Sequence, residues 1–245
     1  VYLEAGWNLV RGLILGDNSG SMIWKMIDLH THSILSDGVL VPAELVQQAR
    51  NRGYKVLGIT DHCDASNLEM VISCLKGFVR SLPKNSGIAV LFGVELTHLY
   101  PEQIGLMVKR ARRLGAELVV IHGETLVEPV PKGTNQAGIL AGADIIAHPG
   151  LIEPELVNLA VKKGVYLELT SRRGHCLSNG WVGGLGKRYG ARLIVNTDSH
   201  SAEDLLSWED ARKVVMGAGL SEDEAMWVYK NSEALVKRVL ARRGR

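Results

Sequence analysis

The sequence predicts an α/β protein in which parallel strands close into a barrel, and three observations predict it. From Met26 onward, short apolar runs alternate with amphipathic stretches of helical length, the pattern of successive strand and helix units. Most of those runs end in a side chain able to bind a metal, and only a ring of strands brings every C-terminal end to one mouth. No glycine-rich phosphate loop follows the first run, which argues against an open, doubly wound dinucleotide-binding sheet. The length of 245 residues suits one such barrel, so residues 26–245 are read as a single domain.

The first strand is read over residues 26–31. After the turn Ser36-Asp37-Gly38, Pro42 suits a first helical position, and Leu45, Val46 and Ala49 repeat at helical spacing until Gly53 ends the helix. The second strand, 55–60, precedes a helix over 66–81 with Leu68, Val71, Ile72, Leu75 and Val79 on one face. The third, 88–95, leads through Tyr100-Pro101 into a helix ending near Gly115. The fourth, 118–121, is followed by a segment over 124–133 whose Pro129 and Pro131 mark a functional loop or lid. A short helix over 135–141, a fifth strand over 144–147, a helix over 154–163 and a sixth strand over 165–169 follow. The polar loop Thr170-Ser171-Arg172-Arg173-Gly174-His175 then precedes a helix over 181–189 and the seventh strand, 192–196. Three helices are expected at the end, over 202–216, 221–228 and 232–242, the second opened by Ser221 and Glu224 at capping-box spacing. Residues 1–25 carry a weak apolar pattern broken by Gly16-Asp17-Asn18-Ser19-Gly20; they are read as an N-terminal extension, with Met22 or Met26 as the natural start.

A net charge of +2 implies no obligatory polyanion partner, and an aromatic content of 5% offers no stacking platform for single-stranded nucleic acid. The basic clusters at 109–113 and 237–245 are read as a solvated helix face and a frayed terminus. Cys63, Cys74 and Cys176 are odd in number and lack Cys-x-x-Cys spacing, which favours a reducing cytoplasm over a disulfide framework; Cys63 is read as a packing residue. No apolar run approaches the roughly 20 residues of a membrane span, so no membrane partner is expected. Oligomeric state leaves no signature in the sequence.

The chemistry concentrates at the strand ends. Strand side chains alternate between faces, so His30 and His32 point the same way and can hold one cation. Alone, that pair would read as two hydrogen-bonded histidines on a half-buried strand. Likewise Asp37 alone is a turn residue, Glu95 a helix cap, and His148-Pro149 a buried histidine before a rigid turn. Six of the eight histidines nevertheless fall at strand ends, in company with Asp61, Glu95 and Asp198, and so many coincidences outweigh each bland reading. Mixed imidazole and carboxylate donors without thiolate suit Zn²⁺, Mn²⁺ or Fe²⁺.

Taken in order, His30-x-His32, Ser36-Asp37-Gly38, Thr60-Asp61-His62, Gly93-Val94-Glu95, His122-Gly123, His148-Pro149 and Asp198-Ser199-His200 resemble the motifs of the PHP (polymerase and histidinol phosphatase) superfamily of metal-dependent phosphoesterases. The resemblance runs from about Met26 to the end. It implies a distorted (β/α)7 TIM-like barrel with two or three divalent metal ions (Zn, Mn or Fe) at the C-terminal mouth of the strands. One ion would take His30, His32, Glu95 and Asp198; Glu95 would bridge to a second, held by His122 and His148; a third would take Asp37, His62 and His200. A metal-bridging hydroxide would then attack phosphorus, since clustered cations lower the pKa of water toward about 7.

Asp28 and Asp61 are expected to orient ligand imidazoles, with Asp61 and His175 as candidate proton relays and His98 in a surface or structural role. Arg172, Arg173 and His175 are candidates for gripping the substrate phosphate, because the sixth strand supplies no evident ligand and a guanidinium forks onto phosphate oxygens. The expected reaction is hydrolysis of a small phosphomonoester, histidinol-phosphate-like or a nucleotide. A nuclease or phosphodiesterase acting on nucleotides or oligonucleotides is the alternative, with nucleic acid the less favoured partner, and a non-catalytic barrel scaffold is the second. Amidohydrolases also place His-x-His after a first barrel strand, but would be expected to carry a bridging lysine after a middle strand and a lone terminal aspartate. Glu95 and the pairing of Asp198 with His200 speak against that class.

Overall fold

A computed structural model describes residues 26–83 and 85–243; the expected extension over 1–25 lies outside them. In chain order the elements are β1 (Ile27–Thr31), α1 (Pro42–Asn51), β2 (Val56–Ile59), β3 (His62–Cys63), α2 (Leu68–Ser81), β4 (Ala89–Leu96), α3 (Pro101–Leu114), β5 (Leu118–His122), α4 (Thr134–Ala141), β6 (Ile145–Ala147), α5 (Pro154–Lys163), β7 (Tyr166–Thr170), α6 (Asn179–Tyr189), β8 (Leu193–Asn196), α7 (Trp208–Gly217) and α8 (Glu222–Arg243). The strands pair in parallel along the path β1-β2-β4-β5-β6-β7-β8, with the two-residue β3 continuing the β2 segment against β4. The ring closes where the Asp198 N–H donates to the His30 carbonyl at 3.0 Å and the His32 N–H to the Ser199 carbonyl at 2.8 Å. The expected (β/α)7 arrangement is therefore what the chain adopts, with β3 as a short extra ladder.

Alternation along the strands sorts side chains into two layers. Ile27, Leu29, Val56, Leu91, Leu118, Val120, Ile145 and Ile194 fill the barrel, while Leu57, Ile59, Val90, Phe92, Val119, Ile146 and Leu167 pack outward against the helices. Gly58 in β2 marks a close approach, because a Cβ there would lie 2.8 Å from the Leu29 Cα. Tyr229, Leu235, Val236 and Val239 of α8 join the interior cluster at the strands' N-terminal ends and plug that end. Burial of four such side chains represents on the order of 6–12 kcal/mol before the entropy of ordering is subtracted.

Three sequence expectations change here. The last two helices are one, because Ser232 is buried mid-helix and packing across the plug overrides its weak helix preference. The helix expected from 202 begins at Trp208, since Ser207 caps it by accepting from the Asp210 N–H at 3.1 Å. The basic clusters are not merely solvated: Arg112, Arg238 and Arg242 converge on Asp144, whose side chain is buried at the start of β6. That knot ties α3 and α8 to the barrel floor. Among the described residues no helix is long and apolar enough to cross a membrane.

Candidate metal centre

A bulge aims the first motif. Ile27 and Leu29 face the barrel interior, yet His30 and His32 reach the mouth, and strict alternation would not allow Leu29 and His30 the same side. The β1–β2 register shifts between Asp28 and Thr31, which re-aims the strand. Glu95 comes from β4, His62 from β3, His122 from the last position of β5, His148 from the residue after β6, and Asp198 and His200 from the segment after β8.

These side chains meet. The Glu95 Oε2 lies 3.3 Å from His30 Nε2, 3.6 Å from His32 Nε2 and 2.8 Å from His62 Nδ1, and its Oε1 lies 3.6 Å from His148 Nε2. Asp198 places Oδ1 3.2 Å from His32 Nε2 and Oδ2 3.6 Å from His148 Nε2. Asp37 lies 3.1 Å from His200 Nε2 and 3.6 Å from His62 Nε2. Four sets keep their ligand atoms within 4.8 Å of one another: His32, Asp37, His62 and His200; His30, His32 and Glu95; His30, His148 and Asp198; and His122, His148 and His175. His32 thus faces two sets, and the division implied by the resemblance is sharper than this geometry.

Several imidazoles are aimed from behind. Nδ1 of His30 sits 2.8 Å from Glu168 Oε1, that of His122 is 3.2 Å from the Gly123 carbonyl, and that of His200 is 2.9 Å from the Asp198 carbonyl. Each contact places the proton on Nδ1 and turns a lone pair on Nε2 inward. His30 Nε2, both His32 nitrogens and both Glu95 oxygens are buried without an aligned hydrogen bond, although Glu95 is fully buried. A buried carboxylate left in that state costs several kcal/mol unless a cation or a protonated imidazole offsets it. Inward lone pairs around a carboxylate without an aligned hydrogen bond fit a divalent ion.

The electrostatics carry the same strain. Burial pushes Glu95 up, but His30 and His62 outweigh it and hold the carboxyl well below its usual range. Burial pushes Asp198 up to about 7. Burial lowers His62, yet Glu95 and Asp37 carry it up to about 9, whereas burial and neighbouring imidazoles push His32 and His148 well down. The backbone is strained too, with φ of 28° at His148 and 54° at Asp198, where side chains other than glycine are disfavoured.

Other expected roles differ. Asp61 does not touch an imidazole through a hydrogen bond: it accepts from the Ser33 N–H, the Ser33 hydroxyl and the Ser36 hydroxyl at 2.7–2.8 Å, and so fixes the loop carrying Asp37. With both oxygens occupied it makes a poor proton relay. Asp28 accepts from the Thr197 hydroxyl and N–H and from the His30 N–H, holding backbone rather than a ring. The residue that does hold a ring is Glu168 in β7, which also accepts from Asn196 Nδ2 at 2.7 Å and from the His148 N–H at 3.1 Å. The strand expected to supply no ligand supplies this support, and the isolated acid within Tyr-Leu-Glu-Leu-Thr is the signal in the sequence.

Arg172 lines the cleft beside Asp37, His200 and His175, with Nη1 3.5 Å from Asp204; Arg173 is exposed and does not line it. His175 is buried against His148, ring centroids 4.3 Å apart. His98 is largely exposed and reaches Glu128 at 3.1 Å. Glu128, which the sequence reading passed over, also lines the cleft.

A PHP domain model matches residues 28–148, a span that starts at Asp28 and ends at His148. An uncharacterised protein of Methanocaldococcus jannaschii is 46% identical over 199 residues, covering 80% of this chain and 91% of that protein. The chain belongs to the PHP family. Among more distant relatives, a probable phosphatase of Thermoanaerobacter pseudethanolicus is 27% identical over 222 residues, covering 81% of this PHP chain and 88% of that one. A chain in the structure of an archaeal ribonuclease P with mature tRNA superposes with a TM-score of 0.65 at 16% identity, covering 86% of this chain and 90% of that chain. Identity that low speaks for the fold alone.

Proposed function

We propose that this protein is a divalent-metal-dependent phosphoester hydrolase acting on a small phosphomonoester, histidinol-phosphate-like or a nucleotide. The observation that carries the reading is Glu95: a fully buried carboxylate with no aligned hydrogen bond, ringed by nitrogens of His30, His32, His62 and His148. The PHP domain match and the probable-phosphatase relatives support a phosphatase-type hydrolase.

His30, His32, Asp37, His62, Glu95, His122, His148, Asp198 and His200 would hold two or three ions. Bound divalent cations supply Lewis acidity toward phosphoryl oxygens and make water nucleophilic near neutral pH. The chain's own residues do the rest. Glu168 and the Gly123 and Asp198 carbonyls fix the imidazoles, so little reorganisation is needed when charge develops. Arg172, on the rim and only loosely engaged with Asp204, is placed to take a phosphate oxygen. The cavity between these side chains is about 40 Å³, room for ions and water, and it opens to solvent at the rim beside Arg172, where the rest of a substrate would lie.

The test is turnover of histidinol phosphate, p-nitrophenyl phosphate, nucleoside monophosphates, bis-p-nitrophenyl phosphate and short oligonucleotides with added Zn²⁺, Mn²⁺ or Fe²⁺. Monoester cleavage that stops with chelator and returns with metal is the expected result. Cleavage of diesters alone would make the protein a phosphodiesterase or nuclease, and no cleavage by a fully metal-loaded protein would leave the scaffold reading.

A further inference from the structure

The resemblance assigns His122 and His148, with Glu95, to one ion, but the structure surrounds that position more completely. His122, His148 and His175 offer ligand atoms within 4.8 Å of one another, and all three rings are buried. His122 Nε2 and His175 Nε2 face the same oxygen, Glu128 Oε2, at 3.5 and 3.6 Å. His122 has its Nδ1 against the Gly123 carbonyl, which leaves Nε2 with its lone pair toward Glu128. The Nδ1 atoms of His148 and His175 are buried without a hydrogen-bond partner.

Both additions are delivered by built loops. Glu128 rides the segment after β5, whose base is clamped where Glu124 Oε1 accepts from the Gly133 and Asn135 N–H groups at 3.1 and 2.9 Å. Pro129 follows Glu128 directly and restricts it to extended backbone. His175 opens a 3₁₀ turn after β7, preceded by Gly174 at φ 87°. The two loops pack together there: a Cβ on Gly174 would sit 3.1 Å from a Val127 methyl, so a larger residue would push the strap away by a few tenths of an ångström. Contact between neighbours of Glu128 and His175 brings both functional groups over His122.

We propose that His175 and Glu128 are further ligands of the divalent ion held by His122 and His148, giving it three imidazoles and, besides Glu95, a carboxylate from the strap. That donor set suits Zn²⁺, Mn²⁺ or Fe²⁺. The proposal rests on the metal-dependent reading above but not on the reaction, since it concerns binding alone.

The experiment measures stepwise Co²⁺ and Zn²⁺ affinities of the full chain by chelator competition, with metal content by mass spectrometry and the visible spectrum of the Co²⁺ form. Glu128→Gln and His175→Asn are compared with wild type and with Arg173→Met, which lies outside the cleft. Each of the first two should weaken one binding step by 10-fold or more, leave the remaining steps within twofold, and alter the Co²⁺ spectrum. Glu128 is partly exposed, so Glu128→Gln reports even if His175→Asn disturbs its turn. Steps all within twofold of wild type and an unchanged spectrum for Glu128→Gln would overturn the proposal. A weakened step in a protein that cleaves no phosphoester would support these ligands while ending the hydrolase reading; unchanged steps in an active phosphatase would do the reverse.

Discussion

Glu168→Gln tests how the barrel aims its ligands. The carboxylate is fully buried and accepts three hydrogen bonds, from His30 Nδ1 at 2.8 Å, Asn196 Nδ2 at 2.7 Å and the His148 N–H at 3.1 Å. The amide keeps the shape but has one accepting oxygen. With that oxygen toward His30 and Asn196, its NH₂ group faces the His148 N–H, donor against donor, and leaves a buried donor unsatisfied at a cost of about 1–3 kcal/mol. Turned the other way, the NH₂ group donates to His30 Nδ1, selects the tautomer with a proton on Nε2, and blocks the inward lone pair. Either outcome should weaken ion binding by about 10–100-fold, or roughly 1.4–2.8 kcal/mol. The metal-free variant should melt lower by about 2–12 °C, at 2–4 °C per kcal/mol for a chain of this size. Calorimetry of the chelator-stripped protein and Zn²⁺ competition measure the two effects. A variant that folds normally and binds every ion within twofold of wild type would refute the idea that Glu168 governs the site through His30.

Arg172→Met should raise KM for a phosphomonoester at least 10-fold with kcat changed less than threefold, while Arg173→Met should leave both unchanged; steady-state kinetics decides. Protonation of the metal-free fold gives a pH dependence. His62 binds its proton up to about 9 in the folded state against 6.5 unfolded, so between those values the folded chain carries more protons than the unfolded one. Stability of the chelated protein should therefore fall as pH rises from about 6.5 to 9, whereas ion affinity should rise because the same protons compete with metal. Thermal scans and chelator competition across that window would show both slopes, and parallel slopes would contradict the assignment. Gly150→Ala should destabilise the metal-free fold by more than about 2 kcal/mol, because φ is 64° there and a Cβ would overlap the Glu124 carbonyl oxygen. Denaturant unfolding of that variant checks it.

The barrel was legible because its signals are local. Pro42, Pro101 and Pro154 begin helices where the sequence placed them, and the Ser221–Glu224 capping box forms, with the Ser221 N–H donating to Glu224 at 2.7 Å. Most of the ligand-type residues were legible because they stand at or just after the end of a strand, where the apolar run breaks. What the sequence hid depends on which loop leans on which. Glu128 looked like any acid in a proline-flanked segment until the strap folded over His122. Asp28 and Asp61 stand within two residues of histidines in the chain, yet their carboxylates are taken up by hydroxyls and backbone N–H groups of Thr197 and of Ser33 and Ser36. The arginines on Asp144 come from residues far apart in sequence, and a pattern of charge along one helix does not reveal a buried partner in another element.

Anomalous diffraction from crystals soaked in Zn²⁺ or Mn²⁺ tests the central claim most directly. Two or three peaks among His30, His32, Glu95, His122, His148, Asp198 and His200, with Glu95 touching more than one, is the predicted map. A fully loaded crystal with no peak in that cleft, or with ions only on surface carboxylates elsewhere, would contradict it.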